Sequence, residues 1–263
     1  MSRIKKKFDE LASKDKKALI TYIVAGDPDL ETTIKIMNVM VEEGADIIEV
    51  GIPFSDPMAE GVSIQKGHER ALQNKTTLQD SLDLISSFRA SNQATPVVFM
   101  GYMNPFESMG AKEFCKSASE KGVDGMLIVD MPPEESSEFS REAKENSLDV
   151  IRLIAPTTNL SRVKEICNLS SGYIYYISVK GITGANDLDS EDVKEKVKLL
   201  TEETNLPIAI GFGIKDAESA LSLKDIADGI VVGSVFVELI GKGGDVVKNI
   251  ASKTSELSTA IKS

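Results

Sequence analysis

A chain of 263 residues, 41% hydrophobic and 27% charged, is long enough for one α/β barrel and has the make-up of a globular protein, not a disordered or fibrous one. A net charge of −11 excludes a general nucleic-acid binder, which needs clustered Lys and Arg; the one short basic run is RIKKK at residues 3–7. Cys115 and Cys167 stand far apart without CxxC spacing or partner histidines, which speaks against structural zinc or a disulfide framework, and no apolar run reaches the roughly 18 residues that span a membrane. The reading is a cytoplasmic protein.

In chain order, IKKKFDELA (4–12) places Ile4, Phe8 and Leu11 on one helical face, predicting an extra N-terminal helix. Eight apolar runs rich in β-branched residues then follow: ALITYIVAG (18–26), ADIIEVG (45–51), PVVFMGY (96–102), GMLIVD (125–130), DVIRLIAP (149–156), YIYYISV (173–179), PIAIGFG (207–213) and GIVVGSV (229–235). Segments of helical spacing lie between them, such as 30–44, 78–91, 111–122 and 190–204. Continuous apolar runs mark strands buried on both faces, as parallel strands covered by helices are. Eight strands alternating with helices predict a (β/α)8 TIM barrel, with the first helix plugging its N-terminal end. No composition break divides residues 1–263, so a single domain is expected. Asp27-Pro28 and Asp130 with Pro132 and Pro133 are read as helix starts, and Gly44 and Gly122 as left-handed helix ends.

Chemistry in such barrels sits at the C-terminal ends of the strands. Glu49 lies there, a carboxylate inside an apolar run. Facing inward, it would be desolvated and suited to exchange protons near neutral pH. Position alone also allows the opposite, an outward Glu49 paired with a lysine on a flanking helix. Glycines cluster after the last three strands, in GITGA (181–185), IGFGI (210–214) and VVGSVFVELI (231–240). They serve ordinary turns as well, but together at matching strand ends they favour a phosphorylated ligand. His68 is the only histidine and is assigned to the surface of the helix IQKGHERAL, outside the site. The acids of PPEE (132–135) are read as complementing a helix dipole.

The stretches GDPD, EVGIPFSDPMAEGVSIQ, YMNPF, VDMPPEE, IAPTT, GITGA, GFGI and VGS follow one another across almost the whole length. In this order they resemble the tryptophan synthase alpha chain family. The resemblance implies retro-aldol cleavage of indole-3-glycerol phosphate to indole and glyceraldehyde 3-phosphate, with no metal or organic cofactor in this chain. It also implies a partner: a pyridoxal-phosphate-dependent beta chain that receives indole through a tunnel and joins it to serine, in an alpha2-beta2 hetero-tetramer.

Carried onto this sequence, the resemblance makes Glu49 the general acid/base and Glu60 the second catalytic carboxylate. Gly184, Gly213, Gly233 and Ser234 match phosphate-binding positions. Tyr22, Met100, Leu127 and Tyr175 match the indole pocket, Thr183 the closing loop, and Asp56 with the YMNPF loop the surface that meets the beta chain. Three positions depart from the family. Glu60 replaces an Asp, lengthening the arm by one methylene; Val62 replaces a proline; and Val179, beside Lys180, stands where the family commonly has Arg. Two rival readings stay open: another barrel family acting on a different phosphorylated substrate, or a ligand-binding regulatory subunit that activates the beta chain.

Overall fold

A computed structural model describes residues 2–177, 190–211 and 213–263 of the chain. The eight predicted runs form β1 (Ala18–Val24), β2 (Ile47–Gly51), β3 (Val97–Gly101), β4 (Gly125–Ile128), β5 (Asp149–Ile154), β6 (Ile174–Ile177), β7 (Ile208–Gly211) and β8 (Gly229–Val232). All neighbouring pairs are parallel, and β8 returns to β1 to close the barrel. Around it run α1 (Arg3–Ala12), α2 (Leu30–Glu42), α3 (Val62–Gln73), α4 (Leu78–Arg89), α5 (Met103–Met109), α6 (Ala111–Lys121), α7 (Ser137–Glu145), α8 (Leu160–Asn168), α9 (Ser190–Glu203), α10 (Ala217–Leu221), α11 (Ser234–Lys242) and α12 (Val246–Lys262). None of the described helices is long and apolar enough to cross a membrane.

Strand alternation divides the apolar side chains into two cores. Leu19, Ile23, Ile48, Val50, Val97 and Phe99 point outward onto helix residues such as Ile36, Met40, Ile85 and Phe88. Ala18, Ile20, Ile47, Val98, Leu127, Ile151, Tyr173, Ala209 and Val231 fill the barrel, where Ile4, Phe8 and Leu11 of α1 join them. The predicted plug is therefore in place. Asp124 fastens it from beside β4, accepting from Arg3 at 2.9 Å, from Arg89 at 2.7 Å and from the Val97 N–H at 2.8 Å. Arg89 is almost fully buried, so removing its counter-charge strands a guanidinium in the core. Asp124→Ala should cost about 3–5 kcal/mol in urea unfolding, and a loss below about 1 kcal/mol would show that the charge is compensated elsewhere.

The helix ends are partly as expected. Gly44 and Gly122 have positive φ, and Gly122 is a left-handed cap. Asp27, however, caps nothing. Asp29 is the N-cap of α2, accepting from Thr32 N–H at 2.7 Å, while buried Asp27 takes both ends of the Arg70 guanidinium at 2.7 Å. A bidentate pair satisfies a buried carboxylate better than one cap bond, and it draws α3 against the end of β1. Arg70 also donates to the Val237 carbonyl, and Ser63 to Glu238 at 2.6 Å, so α3 and α11 are tied together. Asp130 accepts from Met103 N–H at the start of α5, not from the helix after β4. The PPEE acids occupy a short 3-10 turn, Pro133–Glu135, where Glu134 pairs with Arg162 instead of opening α7.

Candidate active site

Within β2, Ile48 and Val50 face the helices, so Ile47, Glu49 and Gly51 must face the barrel axis. The outward alternative for Glu49 is thereby excluded. Glu49 is fully buried, in register with Tyr22 on one side and Val98 on the other. Tyr173 donates to its Oε1 at 2.5 Å, whereas Oε2 has no hydrogen-bond partner among the described residues. Burial pushes the Glu49 carboxyl up to about 7; the Tyr173 bond opposes this and the charge of Glu60 adds to it. A carboxyl with one oxygen held, the other free and a half-populated proton at neutral pH can both give and take that proton.

Glu60 approaches from the loop between β2 and α3. Phe54 stacks on Tyr102 with ring centroids 5.3 Å apart, and the Tyr102 hydroxyl accepts from Ala59 N–H at 3.0 Å. Gln65 then donates to the Glu60 carbonyl at 2.8 Å. The backbone is thus pinned on both sides of a half-buried carboxylate, which burial also raises to about 7. Two carboxyls near 7 share one cavity.

That cavity, about 420 Å³, falls in the range of small-ligand sites. Tyr22, Met100 and Tyr175 line it, with Val129, Leu153 and Ile177 completing an apolar wall. Gly213, at φ +76°, also lines it, as do Gly233 and Ser234 at the N-terminus of α11. Lys215 adds a positive charge to the lining, beside a helix N-terminus whose dipole favours an anion. Gly184 and Thr183, with Val179 and Lys180, lie outside the described residues.

Two expectations need correction. Leu127 is buried in the barrel core with Val98 and Ile151 and is not among the residues lining the cavity. The stagger of the strands makes Val129, two residues on, the β4 side that reaches the cavity. His68 is not on the surface: it is 2% exposed, receiving the Phe54 N–H at Nδ1 (3.2 Å) and meeting the Tyr22 hydroxyl at Nε2 (3.3 Å). Its polarity hid it among the solvent-facing residues of α3. Tyr173 was also missed, although the period-two alternation that turns Tyr175 inward turns Tyr173 inward too. Asp56 is exposed on the loop, with Met58 at 84% and Val62 at 68% exposure nearby, an apolar rim on the cavity side. Among the described residues no cluster of His, Cys, Asp or Glu is arranged to hold a metal ion.

Known proteins are similar to this chain over nearly its whole length. The family model described as Tryptophan synthase alpha chain matches residues 8–263. Tryptophan synthase alpha chains from Nitrosomonas europaea and Neisseria meningitidis serogroup B are 45% and 46% identical over 263 residues, covering 99% and 100% of this chain and 96% and 100% of their own. Among solved structures, tryptophan synthase subunit alpha from Legionella pneumophila superposes with a TM-score of 0.92 at 38% identity, over 99% of this chain and 98% of that one. A chain of the tryptophan synthase complex from Pyrococcus furiosus gives 0.83 at 35%, over 92% and 98%. With its sequence and its closed barrel matched over nearly the full length, the chain belongs to the tryptophan synthase alpha chain family.

Proposed function

We propose that the cavity cleaves indole-3-glycerol phosphate by the retro-aldol route of the family, with Glu49 and Glu60 as its two working carboxylates. The observation that carries the residue roles is the buried Glu49 side chain, with Oε1 held by Tyr173 and Oε2 without a partner among the described residues. In its neutral form Glu49 gives its proton to the indole ring carbon bearing the glycerol chain, leaving an iminium across the ring nitrogen. The Glu49 carboxylate then removes the proton of the adjacent side-chain hydroxyl. A carbonyl forms there, the carbon–carbon bond breaks, and its electron pair returns to the ring to neutralise the iminium. Indole and glyceraldehyde 3-phosphate result, and Glu49 is left protonated for the next turnover. Glu60, facing the ring N–H, stabilises the positive charge that develops there.

The apolar wall of Tyr22, Met100 and Tyr175 accepts the indole, and Gly213, Gly233, Ser234 and Lys215 receive the phosphate. Gly184 and Thr183 are assigned by the family motif to phosphate binding and loop closure. Gly213→Val tests the anion end without changing charge. Its positive φ disfavours any side chain, and the branched one intrudes where N–H groups must approach. Calorimetry with glycerol 3-phosphate should show affinity falling by more than about tenfold; unchanged affinity would send the search for the phosphate site elsewhere.

The chain acts as one domain over residues 1–263, in the cytoplasm, and works with a tryptophan synthase beta chain in an alpha2-beta2 assembly. Pyridoxal phosphate belongs to that partner, and this chain needs no cofactor for its own step. Asp56, Met58, Val62 and the 102–106 loop form the contact surface. Steady-state cleavage with and without the beta chain is the deciding experiment. Turnover that rises in the complex supports the reading, whereas no detectable cleavage even there would favour a regulatory subunit weakened at residues 60 and 179.

A further inference from the structure

His68 has both ring nitrogens engaged, and the chemistry of its partners fixes which one carries the proton. A backbone N–H only donates, so Nδ1, facing Phe54 N–H, must accept. Burial holds the ring down at about 4, leaving it neutral at working pH with its proton on Nε2. That N–H donates to the Tyr22 hydroxyl oxygen, and the phenol proton is forced to point away from the imidazole.

The surroundings leave few directions for that proton. Tyr22 is clamped: a Cβ added at Gly51 would stand 2.1 Å from its hydroxyl, and one at Gly233 would stand 3.2 Å from its Cβ. The ionisable groups that bear on the phenol are Glu60 from the loop, Glu49 from β2, Tyr102 at the start of α5, Tyr175 from β6 and His68 itself, with Lys215 on the same cavity wall. Glu49 already takes one hydrogen bond, from Tyr173, and of the two carboxyls Glu60 bears on the phenol more strongly. Glu60 remains the acceptor to serve. The same imidazole anchors Phe54, six residues before Glu60, so one side chain sets the spacing between hydroxyl and loop.

We propose that His68 is a positioning residue that turns the Tyr22 hydroxyl into a hydrogen-bond donor aimed at Glu60, keeping that carboxylate ionised as it meets the indole N–H. This rests on the cleavage reading above. Loss of the donor destabilises the charged form of Glu60, so the acid limb of the rate profile moves to higher pH.

The test is a double-mutant cycle on indole-3-glycerol phosphate cleavage. Tyr22→Phe and His68→Leu should each lower kcat about tenfold with KM changed less than about threefold, and raise the acid limb of kcat/KM. In the Tyr22→Phe background His68→Leu should add almost nothing, because its partner is gone. His68→Gln, whose amide can donate from near the Nε2 position, should recover most of kcat. Additive losses, or an unmoved pH limb in Tyr22→Phe, would reduce His68 to a packing residue.

A second measurement needs no turnover. Because His68 is the only histidine, ¹⁵N-histidine labelling gives a single ring to read. The neutral Nε2-protonated tautomer should persist from pH 5 to 8 and its Nε2 resonance should move in Tyr22→Phe. A ring that titrates near 6.5, or that carries its proton on Nδ1, overturns the inference. An inactive wild type with the Nε2 tautomer intact would instead count against the cleavage reading alone.

Discussion

Replacing Glu49 with glutamine is expected to lower cleavage by about 10²–10⁴-fold, the usual contribution of a positioned acid/base, while making the protein more stable at high pH. Glutamine keeps an oxygen for the Tyr173 hydroxyl, so the barrel interior stays satisfied. It cannot release and recover a proton, so both halves of the reaction stop. The stability gain follows from the titration. Unfolded, a glutamate loses its proton near 4.5; folded, Glu49 keeps it to about 7. Stability tied to that proton is complete below pH 4.5 and lost as pH rises through 7. The variant stays neutral throughout, so its advantage over wild type should grow with pH toward about 3 kcal/mol at pH 8, at 1.36 kcal/mol per pH unit. Urea unfolding at pH 5 and pH 8 beside steady-state assays checks both halves. A folded Glu49→Gln protein with near-normal turnover would remove the assignment, and a stability difference independent of pH would show that Glu49 is charged in the resting enzyme.

The second large effect is expected at residue 60. Glu60→Ala should lose about 10²–10³-fold in kcat/KM, as removal of a preorganised electrostatic partner does. Glu60→Asp should stay within about tenfold of wild type. Backbone bonds at Ala59 and at the Glu60 carbonyl hold the main chain, so the shorter arm retreats by about one carbon–carbon bond, a distance that loop motion during closure absorbs. Because the charge of Glu60 helps to raise Glu49, the alanine variant should also show its Glu49-dependent limb moved to lower pH. Equal kcat/KM in wild type and Glu60→Ala would end the catalytic role of this carboxylate.

How legible these features are in the sequence depends on what each residue is buried by. Parallel strands are apolar on both faces, so all eight stand out as largely apolar runs, and Glu49 stands out because it is the one charge within β2 itself. Glycine after three successive strands marks the anion end for the same reason: position and residue type agree. His68 has no such contrast. Periodicity counts it as polar on a polar helix, and its burial depends on two partners, Phe54 N–H and Tyr22, that only the folded barrel supplies. Asp27 is alike, since its distant partner Arg70 outcompetes the cap role that local sequence suggests. Leu127 is buried against the cavity-lining residues and is not itself on the wall, because strand identity is written in the chain but barrel stagger is not.

The α1 plug makes the barrel a one-ended vessel. Ile4, Phe8 and Leu11 close its floor, so substrate, phosphorylated product and released indole must all share the mouth beside residues 60–64. Traffic through a single opening is ordered by whatever stands at it. On the docking surface proposed above, an apolar product leaving past Val62, near Met58, would meet the partner before it meets water. If the partner docks on that rim, the sealed floor makes it the place where the products part, at the opposite end of the barrel from the helix that closes it.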